Sequence, residues 1–297
     1  MYHKPVMLEE SLKGLNIRDG GVYVDATLGG GGHAAAILEK LKHGKLIAFD
    51  QDKDAIQNLE KNTKLNVIHA NFRYMREQLN ANGITEVDGI LADLGISSHQ
   101  IDTPERGFST RFDAPLDMRM NSEITRTAAD IVNTYSAARL QKMFSVYGEI
   151  TNAGKLASTI EKYRGAKHIR TTGDLIEAIK SCTPEPGGHK YLAKVFQSLR
   201  IELNEELDAL KDLLRQSDQV LKKGGRLVVI SYHSLEDRIV KDYMRTGNFE
   251  GIPEKNIYGH DIRPFEPIVK KPLVPTEEEI NENSRARSAK LRIAEKI

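Results

Sequence analysis

The chain has 297 residues, of which 39% are hydrophobic and 29% charged, enough apolar material for a packed core and too much for a disordered chain. Lys and Arg total 43 against 42 Asp and Glu, so the formal net charge of +1 excludes a whole-surface polyanion clamp but not a local basic patch. A single cysteine, Cys182, excludes a disulfide framework and a cysteine-based zinc site; with no signal-peptide pattern and no apolar run near the ~20 residues that cross a bilayer, the expectation is a cytoplasmic protein that engages no membrane.

The first part of the chain alternates strand and helix patterns. Residues 21–27 read as a short strand, followed by a glycine run at 29–32 and a helical stretch from His33. Residues 45–50 read as a strand ending in an acid, 52–61 as a helix, 66–70 as a strand, 72–81 as a helix and 87–93 as a fourth strand. This alternation specifies a parallel sheet covered by helices. It then stops. Residues 102–125, rich in Arg, Asp, Pro and Met, read as an irregular surface segment, and helical patterns alone follow at 127–135, 136–147, 152–163, 172–181 and 189–201. Residues 106–200 are expected to form an all-helical insertion that divides an α/β domain into 1–105 and 201–297. A helix running to Leu221 and closed by Lys222-Lys-Gly-Gly, a fifth strand at 226–231, and a last strand in which Ala289, Leu291 and Ile293 alternate with Lys290 and Arg292 complete the pattern.

The chemistry points to Asp25-Ala-Thr-Leu-Gly-Gly-Gly-Gly-His33, between a strand and a helix. Glycines there let a ligand approach the backbone and the helix N-terminus. Asp50, closing the second strand, stands where nucleotide-binding α/β folds place a carboxylate for ribose hydroxyls, about 20 residues past the glycines. The loop lacks the Gly-Lys-Ser/Thr of a phosphate-binding loop, and the third glycine of a dinucleotide motif would be Ala34 or Ala35. An acid before a glycine turn and a second acid closing strand two form the general pattern of S-adenosylmethionine methyltransferases.

Several stretches agree on one family: His3-Lys-Pro-Val-Met-Leu-Glu-Glu, the glycine loop, Gly89-Ile-Leu-Ala-Asp-Leu-Gly-Ile-Ser-Ser, Arg106-Gly-Phe-Ser, Pro115-Leu-Asp-Met-Arg-Met, Ala193-Lys-Val-Phe-Gln-Ser-Leu-Arg-Ile, Ser231-Tyr-His-Ser-Leu-Glu-Asp-Arg and Ser284-Arg-Ala-Arg-Ser-Ala-Lys-Leu-Arg. Together they closely resemble the bacterial ribosomal RNA small-subunit methyltransferase H family. The resemblance implies a class I, Rossmann-like methyltransferase sheet with an inserted all-α, substrate-recognition domain. It also implies S-adenosyl-L-methionine as cofactor and methylation of N4 of a cytosine in the decoding region of small-subunit rRNA. Carried over by position, the cofactor contacts are Gly31, Gly32, His33, Asp50, Phe72, Asp93 and Gln100.

Cytosine N4 is a poor nucleophile because its lone pair is delocalised into the ring, so transfer needs an acceptor for the amine proton and in-line alignment with the sulfonium methyl. Many amino-methyltransferases carry Asp/Asn/Ser-Pro-Pro-Tyr/Phe after strand four; this chain has Asp93-Leu-Gly-Ile-Ser-Ser instead. Asp93 and His233 are the candidate catalytic residues. Tyr232 is placed to stack on an extruded base, and Ser234 with Asp237 reads as a helix-capping pair. Methyl transfer requires no metal. Arg285, Arg287, Lys290, Arg292 and Lys296 in the tail, with Arg106, Arg111 and Arg119, are candidates for phosphate contacts. Near-zero net charge suits focal binding to rRNA in an assembled or nearly assembled subunit, and a homodimer is compatible with the sequence. The rivals, a nicotinamide dehydrogenase and a non-enzymatic RNA-binding assembly factor, are disfavoured by the poor dinucleotide motif and by the intact glycine loop with both acids.

Overall fold

The structure, a computed structural model, describes residues 5–57 and 62–297. His3, Lys4 and the last part of the helix expected over 52–61 lie outside them. The chain divides into two compact units, Met1–Gly95 with Leu207–Ile297, and Ile96–Glu206.

In the first unit, helix α1 (Leu8–Leu15) precedes β1 (Val22–Asp25), α2 (Gly32–Lys40), β2 (Lys45–Asp50), α3 (Lys53–Gln57), β3 (Leu65–His69), α4 (Met75–Ala81) and β4 (Val87–Asp93). The strands pair in parallel, Asp25 beside Leu91 across β1 and β4, and Asp50 beside His69 across β2 and β3. The sequence of α1 gave no earlier signal, but its apolar Leu12 and Leu15 are buried beneath the sheet with Tyr23 and Ile37.

The second unit holds α5 (Ser98–Asp102), α6 (Ala128–Thr134), α7 (Ala137–Gly148), α8 (Ala153–Ala166), α9 (Thr172–Ile179) and α10 (Gly188–Asn204). Hydroxyl N-caps start several of them: Thr127 and Thr171 form capping boxes with Asp130 and Asp174, and Ser136 caps α7. The unit runs from Ile96 to Glu206, against the 106–200 expected, and the segment before α6 is not the surface segment expected. Phe108, Leu116, Met118 and Met120 are buried in the same core as Ile131, Leu140, Phe144, Leu156 and Leu199. Asn204 ties that segment down, accepting from the Met120 amide at 2.8 Å and donating to the Met118 carbonyl at 2.9 Å.

The first unit resumes with α11 (Glu206–Val220), β5 (Leu221–Ser231), α12 (Ser234–Thr246), β6 (Phe265–Pro267), α13 (Glu277–Glu282) and β7 (Lys290–Lys296). Lys222-Lys-Gly-Gly does not lie outside the secondary structure as expected. It belongs to β5, where the register against β4 shifts between Val87 and Gly89, and Gly224 takes φ +78°. Among the described residues the sheet has seven strands in the order β3-β2-β1-β4-β5-β7-β6, with β7 antiparallel to both neighbours. The 3-2-1-4-5 core is the doubly wound, Rossmann-like arrangement.

Strands apolar on both faces make this fold. Val24, Ile47, Ile90, Leu227 and Val229 face α4, α11 and α12, through Leu79, Leu213 and Tyr243. Tyr23, Leu46, Leu91, Val228 and Ile230 lie in the opposite layer with α1 and α2. A parallel sheet covered on both sides leaves its carboxyl edge as the place where polar side chains gather. No helix among the described residues is long and apolar enough to cross a membrane.

Candidate active site

Three of the parallel strands, β1, β2 and β4, end in aspartate: Asp25, Asp50 and Asp93. The turn between β1 and α2 is built around them. Gly31 adopts φ +76° and caps α2, and Gly29, at φ +49°, donates its amide to Asp50 Oδ2 at 2.8 Å. Asp50 Oδ1 accepts from the Asp52 amide at 2.8 Å. Burial pushes the Asp50 pKa up against those hydrogen bonds. The Gln51 amide is a third donor to the carboxylate, which has about four acceptor sites in all and so keeps one for a hydroxyl.

Asp25 is 1% exposed. Oδ1 accepts from the Thr27 amide at 3.1 Å, whereas Oδ2 has no hydrogen-bond partner among the described residues. Burial raises its pKa to about 6, against the pull of His33. A buried carboxylate oxygen without a donor is costly, and here it lies beside the glycine turn. Sequence reasoning noted Asp25 as part of the pattern but did not place it in the site; its signal is the acid four residues before the first glycine.

His33, in the first turn of α2, is 7% exposed. Its Nε2 lies 3.1 Å from the Val6 carbonyl, so this nitrogen carries the proton, and burial lowers the ring's pKa. Its Nδ1 lies 3.8 Å from Asp93 Oδ2. Gly32 has a packing role: a Cβ there would sit 2.4 Å from Pro5 Cγ. Phe72, in a single 3-10 turn after β3, is half-buried against the layer that holds Val24 and Phe49.

Asp93 donates its amide to Thr27 Oγ1 at 2.7 Å and accepts from the Tyr232 hydroxyl on Oδ1 at 2.7 Å. Burial raises the Asp93 pKa to about 7 despite that hydrogen bond, with the charge of Glu236 adding to the rise. Burial and the charge of Asp93 push the Tyr232 phenol up in turn. Tyr232 is thus tethered through its hydroxyl. The cap of α12 is His233 rather than Ser234: His233 Nδ1 accepts from the Glu236 amide at 3.4 Å, and the Glu236 carboxylate accepts from the amides of Tyr232 at 2.9 Å and His233 at 3.4 Å. His233 Nε2 lies 3.2 Å from Glu236 Oε1, off the line of a hydrogen bond. A histidine at an N-cap has a structural task that the sequence pattern Ser234-x-x-Asp237 hid.

Gln100 belongs to the helical unit. Its Oε1 accepts from the Ser97 amide at 3.1 Å and its amide donates to Ser97 Oγ at 3.2 Å, a capping box that starts α5. The tail cations are largely committed within the fold. Arg292 and Lys290 pair with Asp237 at 2.6 and 3.1 Å, and Lys296 pairs with Asp218. Arg119 pairs with Asp117 at 2.7 Å, Arg111 with Asp102 at 3.3 Å, and Arg106 donates to the Arg119 carbonyl at 2.9 Å. Arg287 is exposed. Among the described residues no group of three or more His, Cys, Asp or Glu side chains is placed to hold a metal ion.

The edge fits S-adenosyl-L-methionine: an unpartnered buried carboxylate oxygen suits an ammonium, and an acid on the glycine turn suits a ribose. The MraW methylase family model matches residues 1–297. The chain is 56% identical over 298 residues to the ribosomal RNA small subunit methyltransferase H of Cytophaga hutchinsonii, covering 100% of both chains. It is 53% identical over 298 residues to the protein of that name from Parabacteroides distasonis, covering 100% of this chain and 98% of the relative. With the Flavobacterium johnsoniae protein of the same name it shares 52% identity over 297 residues, covering 100% and 98%. A match along the whole chain and three strand-end acids around a glycine turn lead to one conclusion: the chain belongs to the MraW methylase family, and S-adenosyl-L-methionine is its cofactor.

Proposed function

We propose that this chain transfers the methyl group of S-adenosyl-L-methionine to N4 of a cytosine in the decoding region of small-subunit ribosomal RNA. The chain is a methyltransferase of small-subunit rRNA, a reading supported by its whole-length likeness to the methyltransferase H proteins. The observation that supports an acceptor atom that loses a proton, as an amine does, is Asp93, a strand-end carboxyl held by the Tyr232 hydroxyl on one oxygen and raised by burial to a pKa of about 7. A carboxylate with that pKa is matched to receiving a proton near neutral pH.

The cofactor supplies a sulfonium methyl that an amine nitrogen can attack. Asp50 would hold the ribose hydroxyls, Asp25 Oδ2 would take the ammonium, and Phe72 would lie against the adenine. Gly31 and Gly32 keep the turn close to the methionine portion, and His33 borders Asp93. As the N4 lone pair is drawn out of the ring, Asp93 Oδ2 accepts the amine proton. His233 fixes the turn that carries Tyr232. Gln100 builds the start of its helix through its side-chain carbonyl. The helical unit recognises the rRNA within an assembled or nearly assembled subunit in the cytoplasm.

Mass mapping of small-subunit rRNA, isolated with and without this protein, tests the reading. One decoding-region cytosine should lose a single methyl group in its absence and regain it when purified subunits are treated with protein and cofactor. A methyl group that maps to a ring carbon, a ribose or another nucleotide overturns the N4 assignment.

A further inference from the structure

Tyr232 follows β5 directly and is held at two points. Its amide donates to Glu236 Oε2 at 2.9 Å, and Glu236 is only 3% exposed. Its hydroxyl donates to Asp93 Oδ1 at 2.7 Å. The ring packs against the buried layer that includes Leu91, Val228 and Ile230. Asp93 is itself anchored through its amide on Thr27 Oγ1. With the backbone fixed, χ1 and the rotation of the carboxyl plane remain, and the phenol hydrogen bond restrains both.

The other oxygen, Oδ2, has no hydrogen bond among the described residues. His33 Nδ1 stands 3.8 Å from it, beyond hydrogen-bond range. The His33 proton sits on Nε2, facing the Val6 carbonyl at 3.1 Å, so Nδ1 offers a lone pair and not a donor. Asp93 therefore has one oxygen locked by a phenol and one open.

We propose that Tyr232 is a positioning residue, whose hydroxyl locks Asp93 Oδ1 so that Oδ2 alone receives the amine proton. This inference rests on the reading of Asp93 as the acceptor. It differs from the stacking role suggested by an aromatic at this position, in which the ring face would matter and the hydroxyl would not.

A hydrogen bond to a carboxylate favours its ionised form, so losing it raises the carboxyl's pKa. The groups that bear on Asp93 are Tyr232 and Glu236 from the start of α12, His33 from α2 and Asp25 from β1, with Glu279 of α13 acting on Tyr232 and His33. Tyr232→Phe removes one hydrogen bond and leaves those charges in place.

The experiment is single-turnover methylation of purified small subunits at saturating cofactor, from pH 5.5 to 9. It compares the parent, Tyr232→Phe, Asp93→Asn and the double variant, each checked for a single cooperative melt at or above the parent's. Tyr232→Phe should slow the parent by about 10- to 100-fold at pH 7, the loss of a hydrogen bond to a charged group. It should also move the acid limb of the profile to higher pH and slow Asp93→Asn no further. Equal slowing in both backgrounds, or an unmoved acid limb, overturns the positioning role while leaving Asp93 in place. An Asp93→Asn rate equal to the parent's overturns the acceptor reading, and the role of Tyr232 with it. Tyr232→Leu adds the loss of the ring: a rise in subunit KM seen with Leu and equally with Phe rejects positioning.

Discussion

Replacing Asp25 by Asn should make the unliganded protein more stable and its cofactor binding weaker. The side chain is 1% exposed, and Oδ2 lacks a partner among the described residues. Burial lifts its pKa from 3.8 to about 6, so ionising it costs the folded state about 3 kcal/mol. A raised carboxyl favours folding fully below its unfolded pKa, and that advantage is lost as pH rises through about 6. Asn has nearly the same shape and does not ionise. Parent and variant should therefore melt together near pH 4 and diverge between pH 4 and 6. Above pH 7 the variant should hold a lead of about 3 kcal/mol, about 6 °C in a chain of this size. Calorimetric titration with S-adenosyl-L-methionine at pH 8 should show the reverse order, with affinity down about 10- to 100-fold as the ammonium loses a charged partner. Equal melting temperatures at pH 8 would refute the buried charge. An unchanged affinity would refute its pairing with the cofactor.

Asp50→Ala should weaken cofactor binding by about 1–3 kcal/mol, the cost of an unmet buried polar partner; identical calorimetric affinity would remove Asp50 from the ribose site. Arg292→Ala should destabilise the fold by about 3 kcal/mol, because Arg292 and Asp237 are only 11% and 13% exposed and the acid loses its closer partner. Denaturant melts would check this, and a variant with full stability but weaker subunit binding would return Arg292 to the RNA surface.

Periodicity alone located most strands and the helices of the second unit, because both depend on apolar spacing. The strand-end acids were legible for the same reason: Asp50 and Asp93 close runs of apolar residues. What periodicity missed is side chains that act on distant backbone. Nothing local says that Met118 and Met120 are buried, since Asn204 holds their backbone from far along the chain. The Ser234-x-x-Asp237 pattern hid the true cap because an imidazole can accept an amide hydrogen bond as a hydroxyl does. The tail cations read as an RNA surface because their partners, Asp218 and Asp237, come from helices that only the fold brings against β7. The family resemblance carried Gln100, His33 and Phe72, which no local pattern would have singled out.

The interruption of the first unit by Ile96–Glu206 bears on how the chain is made. β4 is complete at Asp93, but the strand that covers its second edge, β5, begins only at Leu221. At ~5–20 residues per second, about 6–25 s of synthesis separates the two. Throughout that interval the nascent sheet presents an open edge in which Ile90, Leu91 and Ala92 are apolar, the kind of template that recruits a wrong strand. The helical unit, by contrast, is continuous in sequence, so it can close its core once Asn204 has emerged. The order of synthesis thus puts the finished helical unit between the ribosome and the waiting edge, and the vulnerable stage for aggregation ends when residues 221–231 leave the exit tunnel.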